Sequence, residues 1–198
     1  MNRRQTLKAV GAGAAGLLLG LYPNRAKSQG IVLIPEPFLA RKYIAPLDAP
    51  STGRVAEVSE PGDRFVIVGQ ALDGGRPVGN VSIYAFHADA DGFYTRDGLN
   101  SDQNARMFSV FRTDADGRYR YETIRPSGYN DLSAHVHHVI NADGYKPRLH
   151  DLWLADDPIL ERNRARGRNV PPEIFIRAVT RDADGTWHAT HNIEMLRA

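Results

Sequence analysis

The sequence predicts an all-β fold, an antiparallel β-sandwich, on three observations. Short segments rich in β-branched and aromatic residues recur along the chain, and several alternate in polarity as a strand with one buried face does. The tetrapeptide Asp-Ala-Asp-Gly occurs at 89–92, 114–117 and 182–185, each copy between such segments. Gly there supplies a positive φ and Asp bonds nearby amides, so the copies read as tight turns. No long amphipathic helix is evident, and 157–167 holds at most a short helical or irregular excursion.

Taken in order, residues 1–28 read as an export signal. Arg3, Arg4 and Lys8 precede an apolar, glycine-studded run over 9–21 that is too short to span a bilayer, and Ala26 and Ser28 make a cleavage site before Gln29. The pair Arg3-Arg4 followed by Gln5-Thr6-Leu7-Lys8 resembles a twin-arginine signal, which implies export of the folded protein to the periplasm or beyond. An uncleaved N-terminal anchor is the alternative. Residues 29–61 carry Pro35, Pro37, Pro46, Pro50 and Pro61 without sustained periodicity, and read as an extended arm on the sandwich domain 62–198. Strands are expected at 65–69, 81–87, 108–113, 119–124, 134–140, 149–154, 174–180 and 187–195.

Composition narrows the function. Of the 25 Lys and Arg, five lie in 1–28 with no acid beside them, so the remainder holds 20 basic against 23 acidic side chains. A net charge near −3 argues against nonspecific nucleic-acid binding, and the basic whole-chain balance reports targeting. With no cysteine, any metal must be held by His, Tyr or carboxylate. The turns start like calcium loops, but the distal ligands are missing at the required spacing. The basic cluster Arg162, Arg164, Arg166, Arg168 reads as a solvated loop.

The chemistry concentrates at 134–138, Ala-His-Val-His-His. In a strand, His135 and His137 share one face and His138 takes the other, so two imidazoles reach one metal. Alone, His-x-His is weak. Its company is Tyr129, after the turn 125–128 (Arg-Pro-Ser-Gly), and Tyr94, just past the first Asp-Ala-Asp-Gly. His87 reads as a partly exposed strand histidine, Trp153 and Trp187 as core aromatics, and His188 and His191 as surface or core residues.

These stretches, with Gly79-Asn80-Val81-Ser82-Ile83-Tyr84 and Phe111-Arg112-Thr113 before the second turn, resemble the intradiol ring-cleaving dioxygenases of the protocatechuate 3,4-dioxygenase type, from about 69 to 157. The resemblance implies a non-haem Fe(3+) ion held by Tyr94, Tyr129, His135 and His137, with a small aromatic diol and O2 as partners. Substrate then displaces Tyr129, whose phenolate takes up a proton, and the ring opens between its hydroxylated carbons to a cis,cis-muconate. Homo-oligomers are usual in such a family. The residue types suit ferric iron on their own account: a hard trivalent ion is neutralised by two phenolates and a hydroxide, whereas imidazoles alone carry no charge.

The pattern departs at two places. Leu132 stands where an arginine stabilises charge on the substrate ring, and Asp151 where a glutamine is usual; Arg112, Arg125 and Arg148 are candidates to replace the arginine. His150, Asp151 and Leu132 are therefore pocket candidates. Two other readings stay open: a metal-free transthyretin-like binding module, and a zinc or copper site on the His pair.

Overall fold

The computed structural model describes residues 43–97 and 104–198, together with the backbone of strand β1 (Val32–Leu33). The expected leader, 1–28, and most of the arm before Tyr43 lie outside the described residues.

Two seven-stranded sheets pack face to face. The first contains β1, β5 (Ser82–Phe86), β6 (Phe108–Arg112), β8 (His135–Asn141), β9 (Arg148–Leu149), β10 (Leu152–Leu154) and β11 (Ile176–Arg177). Its centre is β8, which pairs antiparallel with β5 on one side and with β9 and then β10 on the other. The second contains β2 (Thr52–Arg54), β3 (Arg64–Asp73), β4 (Arg76–Pro77), β7 (Arg118–Ile124), β12 (Val179–Arg181), β13 (Trp187–Thr190) and β14 (Ile193–Glu194). Parallel pairs join β2 to β7, β13 and β14 to β3, and β10 to β11. The stretch expected as an arm thus gives β1 to one sheet and β2 to the other.

Alternation along β5 shows how the layers form. Ile83 and Ala85 enter the core between the sheets with Phe65, Ile67, Phe111, Tyr121, Val136, Ile140 and Leu152. Tyr84 and Phe86 face the other way and join Tyr43, Tyr94, Ala105, Val139 and Leu149 in a second cluster. The outer face of the first sheet is therefore roofed by chain, and every residue of β5 is buried. Strand β8 divides likewise, with Val136, His138 and Ile140 inward and His135, His137 and Val139 outward.

The three Asp-Ala-Asp-Gly turns repeat one geometry. Gly92, Gly117 and Gly185 have φ of 86°, 74° and 89°, and the first Asp accepts from backbone amides: Asp89 Oδ1 from Asp91 and Phe93, Asp114 Oδ1 from Asp116 and Arg118, Asp182 Oδ1 from Thr186. These carboxylates are spent on amides, which fits turns rather than calcium loops.

The single α-helix among the described residues, α1 (Pro158–Arg166), stands where a short excursion was expected. Asp157 caps it by accepting from the Ile159 amide, Pro158 opens it, and Gly167 closes it at φ 64°. Most of the basic cluster is thus helix, not loop. Arg162 and Arg168 meet Asp131, and Arg164 meets Glu173.

Candidate metal centre

His135 and His137 project from β8 to the outer face of the first sheet. Register fixes their neighbours: Trp153 lies opposite His135 and Leu152 opposite Val136, while Leu149 lies opposite Val139. Continuing the same ladder puts Asp151 opposite His137 and His150 opposite His138, in the break between β9 and β10. The Trp153 ring stacks on His135, centroids 4.1 Å apart, and Phe86 stacks on His137 at 4.7 Å.

Two loops bring the phenols over this face. Tyr94, fully buried, follows the first turn. Its carbonyl accepts from the Arg106 amide at 2.9 Å, and the Arg106 guanidinium ties Glu60 to Asp89, the residue that caps that turn. Tyr129 opens a four-residue turn in which Tyr129 and Leu132 exchange backbone hydrogen bonds of 3.0 and 2.8 Å across Asn130, φ 52°. Helix α1 braces that turn, with Asn163 Nδ2 donating to the Asp131 carbonyl at 2.7 Å.

The four side chains meet. Tyr94 Oη is 3.2 Å from Tyr129 Oη and 3.0 Å from His137 Nε2, which is 3.0 Å from His135 Nε2. His135 Nδ1 is 2.7 Å from the Ser133 carbonyl, and His137 Nδ1 is 3.0 Å from Asp151 Oδ1. A carbonyl oxygen only accepts, so His135 carries its proton on Nδ1; the carboxylate assigns His137 the same tautomer. Burial, and then the neighbouring His137, push the His135 ring down to about 3, so it stays neutral at ordinary pH. Burial alone would raise the Asp151 carboxyl, but His137 beside it and the bond from its Nδ1 hold it below the usual range.

Both Nε2 atoms are then unprotonated and 3.0 Å apart, with Tyr94 Oη 3.0 Å from that of His137, so the two rings turn metal-binding nitrogens to one point. The phenols point the same way. Burial pushes the Tyr121 phenol, which has no such site beside it, well above 10, so an equally buried Tyr94 phenolate needs a cation next to it. Among the described residues, no three His, Cys, Asp or Glu side chains are placed to hold one ion. Two phenolates and two imidazoles with acceptors behind them fit hard ferric iron.

The remaining candidates are dispersed. Leu132 is half-buried in the Tyr129 turn. His150 turns between the sheets, its ring against Phe175 and His191. His138 faces inward and bonds Tyr121 Oη at 2.7 Å. His87 is fully buried, not partly exposed, between the Ala88 carbonyl and Thr123 Oγ1. None of the three arginines replaces the one absent at Leu132. Arg112 is committed to the carbonyls of Ala45, Pro46 and Asn80, Arg125 to Asp156 and the Trp187 ring, and Arg148 lies across the ladder from Ile140, on the face opposite His135 and His137. An open groove of about 410 Å³ lies on the outer face of the second sheet, lined by Thr52, Gln70, Arg118 and Arg120. It is on the far side of the sandwich from the four side chains. Sequence reasoning missed the stacking role of Trp153, although its place opposite His135 follows once the register is known.

The fold is a β-sandwich, and the comparisons place the chain in a family of dioxygenases. The family model described as Dioxygenase matches residues 35–166. The protocatechuate 3,4-dioxygenase beta chain of Burkholderia cepacia is 33% identical over 138 residues, covering 63% of this chain and 59% of that one. The catechol 1,2-dioxygenase of Acinetobacter baylyi is 30% identical over 126 residues, 53% of this chain and 40% of that one. The chain thus spans 59% and 40% of the length of these two relatives. The solved dioxygenase domain of a dioxygenase carbohydrate-binding fusion from Streptomyces sp. SirexAA-E superposes with a TM-score of 0.61 at 21% identity, over 80% of this chain and 96% of that one, a likeness of fold. The chain belongs to the intradiol dioxygenase family.

Proposed function

We propose that this protein is a non-haem Fe(III)-dependent intradiol dioxygenase that opens a catechol-type ring between its two hydroxylated carbons with O2, giving a cis,cis-muconate-type product. The observation that carries the proposal is the convergence of Tyr94, Tyr129, His135 and His137, with both imidazoles turning an unprotonated Nε2 to the same point. The relatives are named for catechol, protocatechuate and hydroxyquinol, which supports a small aromatic diol as substrate.

When bound, ferric iron supplies the Lewis acidity that holds and polarises a catecholate. The protein supplies the rest. Tyr94, His135 and His137 are buried and form the fixed side of the centre. Tyr129 is half-buried on a two-bond turn, so of the four it is the one that a substrate oxygen would replace, and its phenol oxygen would then accept a substrate proton. Trp153 and Phe86 hold the imidazole planes and keep water from their faces. Leu132 brings no charge to the substrate ring, and losing one such electrostatic contact costs about 3 kcal/mol of barrier. Turnover of simple catechols is therefore slow, and a larger phenolic substrate met outside the cytoplasm is favoured. The basic, apolar leader over 1–28 supports export by the twin-arginine route, with metal loaded before translocation.

Oxygen uptake across a panel of catechols, with the product identified, tests the activity. Ring fission yielding a muconate-type diacid is expected; extradiol products, or no uptake by iron-loaded protein, contradict it. Localisation is tested by fractionating cells that express the full chain. Periplasmic or secreted protein beginning near Gln29 is expected, and cytoplasmic protein of full length contradicts export.

A further inference from the structure

Asp151 is 4% exposed and sits in the break between β9 and β10, directly across the ladder from His137. The backbone of that break is pinned by the His150 amide, which donates to the His138 carbonyl at 2.9 Å. This places the Asp151 side chain beside the ring, and its Oδ1 stands 3.0 Å from His137 Nδ1. The two imidazoles of the site are thus held by different acceptors. His135 leans on a neutral carbonyl, at Ser133, and His137 on a buried anion.

Within the ion pairs of the described residues, Asp151 meets only His137, and no arginine or lysine shares it. Burial works against this carboxylate, and the bond from His137 Nδ1–H offsets it. A cation on the opposite nitrogen of the same ring strengthens the pair, because the imidazole then passes positive charge to the carboxylate. From this geometry we propose that Asp151 is a positioning residue for the metal centre, one that fixes His137 with Nε2 toward the ion and makes the site favour a trivalent over a divalent cation. The proposal rests on reading the four side chains as a ferric site.

The role predicts unequal effects on the two forms of the protein. Asp151→Asn keeps an acceptor for Nδ1–H but removes the charge. Metal-free Asp151→Asn protein is expected to melt only slightly below the metal-free parent, and its iron-loaded form further below the iron-loaded parent. Competition with a ferric chelator, nitrilotriacetate, should show a fall in ferric affinity of about 10-fold for Asp151→Asn and about 100-fold for Asp151→Leu, which removes the acceptor as well. Zinc affinity, measured the same way, should fall less than ferric affinity in Asp151→Asn.

A merely structural carboxylate lowers the melting temperature of both forms by the same amount and leaves ferric affinity unchanged, and either result overturns the proposal. Equal losses of zinc and ferric affinity remove the preference for charge. If the parent itself binds no ferric iron, the reading of the site falls first and the role of Asp151 with it, which separates that failure from the others.

Discussion

Tyr94 and Tyr129 differ in a way that separate substitutions expose. Tyr94 is fully buried against Phe86, and its oxygen touches both His137 and Tyr129. Tyr94→Phe is expected to weaken and shift the visible phenolate-to-iron absorption of the loaded protein and to lower iron retention; a spectrum identical to the parent's would falsify the assignment of that ligand. Tyr129→Phe removes the exchangeable donor, so iron is retained and colour reduced while ring cleavage falls by about 10²-fold or more. Oxygen uptake at matched iron content measures that split, and full activity in Tyr129→Phe would remove its proton-accepting role. The parity of His135, His137 and His138 was legible in the sequence, because side chains alternate along any strand. The contact of Asp151 with His137 was not, since it depends on the register of β8 against a strand that breaks between Leu149 and Leu152.

At the scale of the element, the turns that carry the phenols leave little room. Gly92 has φ 86°, and a Cβ there would stand 3.0 Å from Tyr129 Cβ and 3.1 Å from the Gly128 carbonyl. Gly92→Ala pays both left-handed strain, about 1–2 kcal/mol, and the separation of the two phenol-bearing loops. Gly185, at φ 89° in the third turn, has only the Arg181 side chain near, at 3.5 Å. Gly185→Ala should lose stability alone and keep the parent spectrum, whereas Gly92→Ala should lose stability and colour; calorimetry with a visible spectrum on each variant decides. Sequence reading found most strands because their apolar alternation is local. It ran 174–180 together, yet the chain there makes a short 3-10 turn and then gives β11 to one sheet and β12 to the other. Both sheets want the same apolar residues, so the crossing leaves no mark in the pattern. Helix α1 was read as at most a short helical or irregular excursion, although Asp157 and Pro158 at its start and Gly167 at its end are residues that bound helices.

For the molecule as a whole, the histidines between the sheets set its response to acid. Burial lowers His87 to about 4 and takes His150 and His191 well below the ordinary 6.5. Below pH 6.5 the unfolded chain binds protons that the folded one refuses, so stability present at neutral pH falls as pH drops toward these depressed values. The loss is about 1.4 kcal/mol per pH unit for each fully coupled group. Metal-free protein should melt clearly lower at pH 5 than at pH 7, and an unchanged melting temperature over that interval would show these rings to be hydrated. The sandwich was legible from turns and alternation, whereas the set of four site residues came from the resemblance to a family, His-x-His alone being a weak signal. Export, in contrast, rests on residues 1–28, which the fold does not constrain.

In the proposed centre, two phenol oxygens and two imidazole nitrogens share one trivalent metal. Metal analysis with a visible spectrum, on full-length protein purified without added chelator, tests it most directly. The prediction is about one iron per chain with a broad phenolate-to-ferric absorption that fades in Tyr94→Phe. Colourless protein after iron loading, or zinc or copper at full occupancy in place of iron, would contradict it.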